Sequence, residues 1–406
     1  MDDEILRNIP AFMAVAEQKG VSRASEFLFK APSALTRSIA LLEETLGFTL
    51  FDRLPHGMLM NHFGEAVQER SRRILMELKI ACEELGPICR PAKEEKHLSA
   101  FLLAGRKLQV FASIAEHQSL SEAGKQLALS RSGVSMSLSR MEEYLGIHLF
   151  ERMAHGLIPN TAGEKLLIRA KRISAEIRHL KTELSALAGA LKGTVIIGAL
   201  PLCRTRILPK AISQLLITHP DIQVKTLESP YDELAKGLKS GDIDFIIGAV
   251  RGKAEQSEFQ IEHLFMDQVS IFCRANHPLT QKNQIDLATL SNQQWILPRQ
   301  DSPARQVLTK AFLQKGLTPP QPAIESGDLA ILRYLLASTD LITAISPFQL
   351  FYEIKDQLVE ALPIDLDNTQ RSIGITSRKQ SLPSPAVLEM MNEVKRVIRD
   401  EVHRSI

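Results

Sequence analysis

Three short apolar runs in the second half of the chain end on polar side chains able to bind a ligand. Run 194–200 (TVIIGAL) leads into Pro201, Leu202, Cys203, Arg204 and Thr205, run 222–228 (IQVKTLE) into Ser229, Pro230 and Tyr231, and run 244–250 (DFIIGAV) into Arg251. Open α/β sheets bind ligands beyond the carboxyl ends of their strands. Leu200, Pro201, Leu202, Cys203, Arg204, Thr205, Ser229, Tyr231, Ala249 and Arg251 are therefore the candidate ligand contacts. The guanidinium groups of Arg204 and Arg251, the Thr205 hydroxyl and free helix N–H groups suit an anion or a polyol. A Ser, Thr or Pro at such a place also commonly does no more than cap a helix. Cys203 carries two readings. Beside Arg204 and a helix N-terminus its thiol would be acidified and could sense oxidants; otherwise it is a small buried residue lining the cleft.

The remaining chemistry is mostly exclusion. Cys82, Cys89, Cys203 and Cys273 form no CxxC and have no His at ligand spacing. Free thiols are expected, and neither a metal site nor a disulfide framework. No nucleophile elbow, P-loop, HExxH or GxGxxG occurs, so an enzyme is the weaker reading and no cofactor is expected. The abundant carboxylates fall on amphipathic helix faces, where they read as solvated charge.

The elements that position the polar cluster follow from hydropathy periods. Strand 194–200, helix 207–218, strand 222–228, helix 231–239 and strand 244–250 predict a parallel α/β sheet. Further α/β material follows at 260–275 and 294–297. Helices are predicted at 302–315, 327–337 and 385–403, and strands at 341–345 and 372–376.

The first half contains itself twice, at an offset of 99 residues. Phe12, Ala16, Ser22, Leu28, Ser33 and Glu43 match Phe111, Ala115, Ser121, Leu127, Ser132 and Glu142. The match runs on through Leu50-Phe51 to Leu149-Phe150, Arg53 to Arg152, His56-Gly57 to His155-Gly156 and Gly64-Glu65 to Gly163-Glu164. Two copies of this length indicate a duplicated domain, not a solenoid. Each copy reads as two short helices joined by a tight turn, then a two-stranded wing, the pattern of a helix-turn-helix. Ser119 and Glu122 form a capping box, Ser130 caps the third helix of the second copy, and Gly146 closes it.

A long helix follows each wing. In the second copy Leu166, Ala170, Ile173, Ile177, Leu180 and Leu184 recur alternately at four and three residues, an a/d seam. Its narrowness and charged flanks favour a coiled coil between two chains over a helix lying on its own domain. The first copy has a shorter version from Val67 to Leu85, and the charged stretch 90–97 (RPAKEEKH) reads as a linker. Domains are thus expected at 1–98, 99–191 and 192–406.

Bulk properties set the class. The chain has 406 residues, 44% of them hydrophobic, and a formal net charge of only +2. A non-specific architectural DNA-binding protein would be strongly basic and lack a sensory domain, so it is the weaker alternative. No apolar run approaches the roughly 18 residues of a membrane span. The acidic start is unlike a secretory leader, so a cytoplasmic protein with no membrane partner is expected. Aromatics are 5% of the chain, with one Trp, which argues against a stacking platform for single strands. Residues 1–98 carry 13 Lys+Arg and 15 Asp+Glu, and residues 99–190 carry 12 and 8. Phosphate contact dominates affinity for DNA, which ranks the second copy as the anchor.

Residues 111–163 resemble the winged helix-turn-helix of the LysR-type transcriptional regulators, through Ser130-x-x-x-Val134-Ser135, Met141-Glu142-Glu143-x-Leu145-Gly146, Leu149-Phe150-Glu151-Arg152 and Thr161-x-Gly163. Residues 12–64 resemble it less closely. From Gly193 onward the chain resembles the family's effector domain, on Leu208-Pro209, His219-Pro220, residues 238–244 (LKSGDID) and His277-Pro278-Leu279. The resemblance implies a multidomain protein. Two α-rich winged helix-turn-helix domains with long linker helices precede a two-lobed α/β effector domain like a periplasmic binding protein. Lobe I would be 192–270 with 372–406, and lobe II 271–371. It also implies double-stranded promoter DNA and a small-molecule effector as partners, a homo-dimer or tetramer, and RNA polymerase as a further contact. The effector expected is an organic acid, an aromatic acid or a sugar derivative. By motif position the DNA contacts of the second copy would be Ser130, Arg131, Ser132, Ser135, Met136 and Arg140, with Arg152, His155, Asn160 and Thr161 at the backbone. Those of the first would be Pro32, Ser33, Thr36, Arg37, Arg53 and His56. The sequence departs from the family pattern at Pro32, Arg131, Met136 and His62, and in carrying two copies at all. The first copy either adds contacts or is a degenerate pairing module.

Overall fold

The computed structural model describes residues 2–54, 57–154, 156–252, 257–282, 284–364, 366 and 369–402. The first copy folds as α1 (Asp3–Gln18), α2 (Val21–Leu28), α3 (Pro32–Leu46), the hairpin β1 (Phe51–Leu54) with β2 (Gly57–Met60), and the long α4 (His62–Leu85). After α5 (Glu95–Leu103) the order repeats: α6 (Lys107–His117), α7 (Leu120–Leu127), α8 (Arg131–Leu145), the hairpin β3 (Phe150–Met153) with β4 (Gly156–Pro159), and α9 (Thr161–Leu187). From α2 to the start of α4 each element recurs, as α7 to the start of α9, at the same displacement of 99 residues.

The local causes repeat too. Asn61 and Asn160 cap the long helices, each accepting from the N–H three residues on, Gly64 and Gly163, at 3.0 Å. Glycine is required at both positions. A Cβ on Gly64 would lie 2.3 Å from the Leu50 carbonyl oxygen, and one on Gly163 would lie 2.2 Å from that of Leu149. Each long helix is thereby held hard against the first strand of its wing. Pro32 opens α3 at the first turn, where its missing N–H costs nothing.

The two copies are not separate domains. Their buried residues form one continuous core, running from Ile5, Phe12 and Leu42 through Ile74, Leu78 and Leu85 to Phe111, Met141, Ile173 and Leu180. The boundary expected at residue 98 falls inside α5, whose Leu98 and Leu102 are buried in that core. The charged linker is correspondingly short: Arg90 N donates to Leu145 O at 2.8 Å, which seats it on the end of α8.

The long helices lie side by side and antiparallel. Arg70 of α4 meets Glu183 of α9, and Glu84 of α4 meets Arg169 of α9. The seam residues Leu166, Ala170, Ile173, Ile177, Leu180 and Leu184 are all buried in the core shared with α4 within this one chain. This corrects the expectation of a seam between two chains. The apolar stripe has the period of a coiled coil, and α4, tethered nearby, covers it first.

The rest of the chain forms two sheets. The first is built from β5 (Gly193–Ala199), α10 (Pro201–Arg204), α11 (Ile207–Thr218), β6 (Ile222–Leu227), α12 (Tyr231–Ser240), β7 (Phe245–Ala249) and β8 (Phe259–Gln268). The second region holds β9 (Ser270–Arg274), α13 (Leu287–Ser291), β10 (Ile296–Leu297), α14 (Pro303–Gln314), β11 (Ile324–Glu325), α15 (Leu329–Ser338), β12 (Thr343–Ile345), α16 (Phe351–Lys355) and β13 (Val359–Ala361). The chain then returns to the first sheet through β14 (Gln370–Arg378) and ends in α17 (Pro385–Val402). Strand order is β6-β5-β7-β14-β8 in the first sheet and β12-β9-β13 in the second, with β10 paired to β11. β5 is parallel to β6 and β7, but β14 runs antiparallel to β7 and β8. The first sheet is therefore mixed, where an all-parallel one was expected. Strand direction depends on the return from the second region, which hydropathy periods do not encode. Helices α11 and α17 cover one face, and α12 covers the other. Among the described residues no single helix is long and apolar enough to cross a membrane.

Candidate functional site

A cavity of about 700 Å³ opens between the two sheets. Its first wall is made by the carboxyl ends of β5, β6 and β7, and contains Leu200, Pro201, Leu202, Arg204, Ser229, Tyr231, Ala249 and Arg251. Its second wall is made by the ends of β10, β11 and β12 and the N-termini of α14 and α15, with Arg299, Ser302, Asp328 and Gln349. These, and Arg371, escaped the sequence reading. The strand-end rule applies to the second sheet as well as the first, and would have pointed to Arg299 after Leu297 and to Asp328 before α15. Arg371 starts an antiparallel strand, and only the strand's direction brings it to this edge.

The cavity is rich in both charges. Arg204, Arg251, Arg299 and Arg371 face Glu228, Asp301, Glu325 and Asp328. Burial pushes the Arg204 guanidinium down, opposed by Glu228 and Asp328. The Arg251 guanidinium stacks 4.7 Å from the Tyr231 ring centroid and reaches across to Asp301 O at 3.2 Å, while its buried Nε has no hydrogen-bond partner. At the base, Arg371 Nε donates to Asp267 Oδ2 at 2.8 Å, and Ser346 Oγ donates to Asp267 Oδ1 at 2.6 Å. Burial raises the Asp267 carboxyl above its ordinary range despite Arg371 and Ser346. The Arg371 Nη2 is buried without a hydrogen-bond partner.

Two expected contacts do not line the cavity. Cys203 is fully buried in the core beneath it, and burial pushes its thiol up to about 12. Burial outweighs the lowering influence of Arg371 and Arg204, which supports the reading of Cys203 as a small buried residue. Thr205 is committed elsewhere: its Oγ1 donates to Gln349 O at 3.3 Å and accepts from Arg333 Nη2 at 3.0 Å, tying the two walls together.

The second candidate surface is formed by α3 and α8. Helix α8 buries Val134, Met141 and Leu145 and turns Arg131, Ser132, Met136 and Arg140 outward. Met136 is 51% exposed, and Ser135 is half-buried. Ser130 is exposed but caps the helix, its Oγ accepting from Gly133 N at 3.0 Å. Helix α3 buries Leu35, Ile39 and Leu42 and exposes Pro32, Ser33, Thr36 and Arg37. Arg152 and Thr161 are exposed. Asn160 is half-buried and acts as a helix cap, its Oδ1 accepting from Gly163 N while its Nδ2 donates to His148 O. His56, His155 and the side chain of Arg53 lie outside the described residues.

The linker pair joins these surfaces through a reciprocal ion network. Arg70 binds Glu176 at 2.9 Å and Glu183 at 2.7 Å; its counterpart at offset 99, Arg169, binds Glu77 at 3.0 Å and Glu84 at 2.6 Å. Arg73 pairs with Glu176 at 3.0 Å, as its counterpart Arg172 pairs with Glu77 at 3.4 Å. Each copy thus presents the same patch to the other, the mark of a twofold interface. The first sheet docks on this pair. Arg70 Nη1 donates to Leu382 O at 2.7 Å, Arg73 donates to Gln380 O, and Arg172 Nε donates to Lys239 O at 2.8 Å. Buried Asp244 binds Arg178 at 2.7 Å and His179 at 3.2 Å. Burial alone would raise the Asp244 carboxyl, but His179, Arg178 and the Ile196 N–H hold it below its ordinary value. The basic residues of α9 are therefore largely spent inside the protein, and the charge ranking of the copies narrows. The head 104–160 carries six Lys+Arg against five Asp+Glu.

The family model described as "LysR substrate binding domain" matches residues 188–399. The one described as "Bacterial regulatory helix-turn-helix protein, lysR family" matches residues 6–65 and again 106–164. The HTH-type transcriptional regulator GalR of Pseudomonas putida is 39% identical over 396 residues, covering 98% of each chain. The HTH-type transcriptional regulator PcaQ of Agrobacterium fabrum is 27% identical over 290 residues, 71% of this chain and 93% of its own. Full-length OxyR from Pseudomonas aeruginosa shares the fold at a TM-score of 0.55 and 20% identity, over 72% of this chain and 96% of that one. A CbnR structure complexed with its target DNA does so at 0.52 and 21%, over 72% and 99%.

Proposed function

The chain belongs to the LysR family of transcriptional regulators, and we propose that it grips promoter DNA with two tandem winged helix-turn-helix heads and senses a small organic acid in the cleft. It is a regulator with a helix-turn-helix DNA-binding region and an effector-binding region, not an enzyme. Residues 1–191 act as one DNA-binding body and 192–406 as the sensor, with its lobes meeting at the cleft. The duplication accounts for the two matched stretches and for the repeated element order. It also accounts for a relative such as PcaQ covering nearly all of itself but only 71% of this chain. The DNA contacts are Arg131, Ser132, Ser135, Met136 and Arg140 on α8, with Ser33, Thr36 and Arg37 on α3.

The observation that carries DNA binding is α8 itself: one side is locked into the core, while the other offers Arg131, Ser132 and Arg140 to solvent. An outward helix of this kind reads base edges in the major groove. The effector class rests on Arg371 and Arg251, whose buried and unpartnered nitrogens favour an acceptor oxygen. Asp267 engages Arg371 through Nε at 2.8 Å and leaves the Nη2 edge for a ligand oxygen. Aromatic acids and sugar acids both fit this chemistry. Selection of bound sequences from a random duplex pool tests the first part: an enriched motif supports it, and salt-sensitive binding without one refutes it. Thermal shift against benzoate-type acids, sugar acids and neutral polyols tests the second. Stabilisation by polyols alone would refute the acid.

A further inference from the structure

Resting on the DNA-binding reading above, we infer that a single chain is a complete two-headed reader of an asymmetric DNA element, α3 and α8 reading different half-elements. The pairing comes first. Arg70, Arg73, Glu77 and Glu84 of α4 have identical counterparts in α9, namely Arg169, Arg172, Glu176 and Glu183. The two sets bind each other reciprocally across an antiparallel seam. An interface of this kind is self-complementary and places the two heads in related orientations about a twofold axis. Dimeric helix-turn-helix proteins gain their two-half-site geometry from that relation. Here both heads belong to one chain, and the seam that a second chain would need is already buried.

The heads are alike inside and different outside. At offset 99 the core-facing positions keep their apolar character: buried Leu35 with Val134 and Leu42 with Met141, and half-buried Leu46 with buried Leu145. The outward positions diverge. Pro32 stands against Arg131 and Arg37 against Met136, while Ser33 and Ser132 agree; exposed Arg140 has half-buried Leu41 as its counterpart. A guanidinium reads guanine with two hydrogen bonds, and a thioether or an alkyl side chain reads the thymine methyl. Arg37 and Met136 therefore occupy corresponding places with opposite base preferences. A palindrome would satisfy one head and mismatch the other.

The test uses the full-length protein on a site obtained by random-pool selection, with hydroxyl-radical footprinting of Arg37→Glu and Arg140→Glu. Both residues are exposed and neither belongs to the ion network of the seam, and unchanged circular dichroism and thermal melting keep the fold controlled. Each variant is expected to lose roughly ten-fold or more in affinity. Each should clear a different segment of the footprint, and the two segments should differ in sequence. Should two chains bind together, each segment appears twice, and the two variants still clear different ones. The inference is overturned if Arg37→Glu clears nothing, if both variants clear the same segment, or if the two segments are one sequence inverted. Failure of the unmodified protein to enrich any sequence is a separate result, which sinks the DNA-binding reading and this inference with it.

Discussion

Replacing Arg70 by Ala tests the linker pair directly. The Arg70 side chain is 1% exposed and holds Glu176, itself 3% exposed, as well as Glu183 and the Leu382 carbonyl. Removing one partner of a buried ion pair costs about 3–5 kcal/mol, because the other charge is left stranded. Glu176 keeps Arg73 at 3.0 Å, which sets the expectation near the low end, about 3 kcal/mol. Its counterpart Arg169 is 16% exposed, and its partners Glu77 and Glu84 are 13% and 27% exposed. Water can solvate what Arg169→Ala leaves behind, so that change costs about 1–2 kcal/mol. Hydrogen exchange followed by mass spectrometry over α4 and α9 reads the difference locally, independent of how the sensor region unfolds. Protection should fall roughly 100-fold in Arg70→Ala and about 10-fold in Arg169→Ala, since 1.4 kcal/mol is tenfold. The double change Arg70→Ala with Glu176→Ala should recover part of the loss. Equal losses in the two single variants, or a loss below about five-fold in Arg70→Ala, would refute the claim that this network closes the pair.

Three further outcomes are expected. Cys203, with its thiol raised to about 12, should resist alkylation at pH 8 in the folded protein and react only on unfolding; labelling at the rate of a free thiol would contradict its burial. Asp244 has a folded-state pKa below the ordinary 3.8, so its stabilisation is fully present above that value and is lost as pH falls through the lower, folded one. Asp244→Asn should lower stability by about 1–3 kcal/mol at neutral pH and flatten the acid limb of a stability–pH curve; an unchanged limb would show that the group does not titrate in the fold. Gly64→Ala and Gly163→Ala should each cost about 1–3 kcal/mol, because the new Cβ meets a wing carbonyl at 2.3 and 2.2 Å. A melting temperature unmoved in either variant would mean that the helix-to-wing approach is looser than described.

Much of this architecture is local and was therefore legible. Capping residues Ser119 and Ser130 mark helix starts, and the 99-residue offset exposes the repeated element order without any tertiary information. The a/d stripe on α9 correctly announced a helix partner but not its identity, since periodicity records that a face must be covered and not by which chain. The antiparallel pairing is written in the repeat itself: Arg70, Arg73, Glu77 and Glu84 recur at offset 99 with signs that match only in an antiparallel pair. The cleft was half legible. Strand ends in the first sheet point to Arg204, Ser229, Tyr231 and Arg251, all lining the cavity. Arg371 and Gln349 depend on how the chain crosses between sheets, a long-range fact. Cys203 shows the opposite failure: its neighbour Arg204 suggested a reactive thiol, but desolvation exceeds one adjacent charge once the residue is fully buried.

On the two-headed reading proposed above, joining both copies in one chain has physical consequences that a dimer of single-copy chains lacks. Pairing becomes part of folding, set by the short tether through α5 and independent of protein concentration, so the head pair survives dilution. In a dimer of identical chains every substitution appears at both related positions. Here it appears once, and the two sides of the seam already differ: the Leu382 carbonyl reaches Arg70, while Arg169 has acquired only carboxylate partners. The sensor region is also present once per two heads, and it touches both linker helices. It reaches α4 through the carbonyls of Gln380 and Leu382 and α9 through Lys239 and Asp244. Strand β14 carries Arg371 at the cavity end and Arg378 at the other, 3.9 Å from Glu77 of α4. A displacement of β14 by an occupied cleft would bear on the same carboxylate that Arg169 and Arg172 hold from α9.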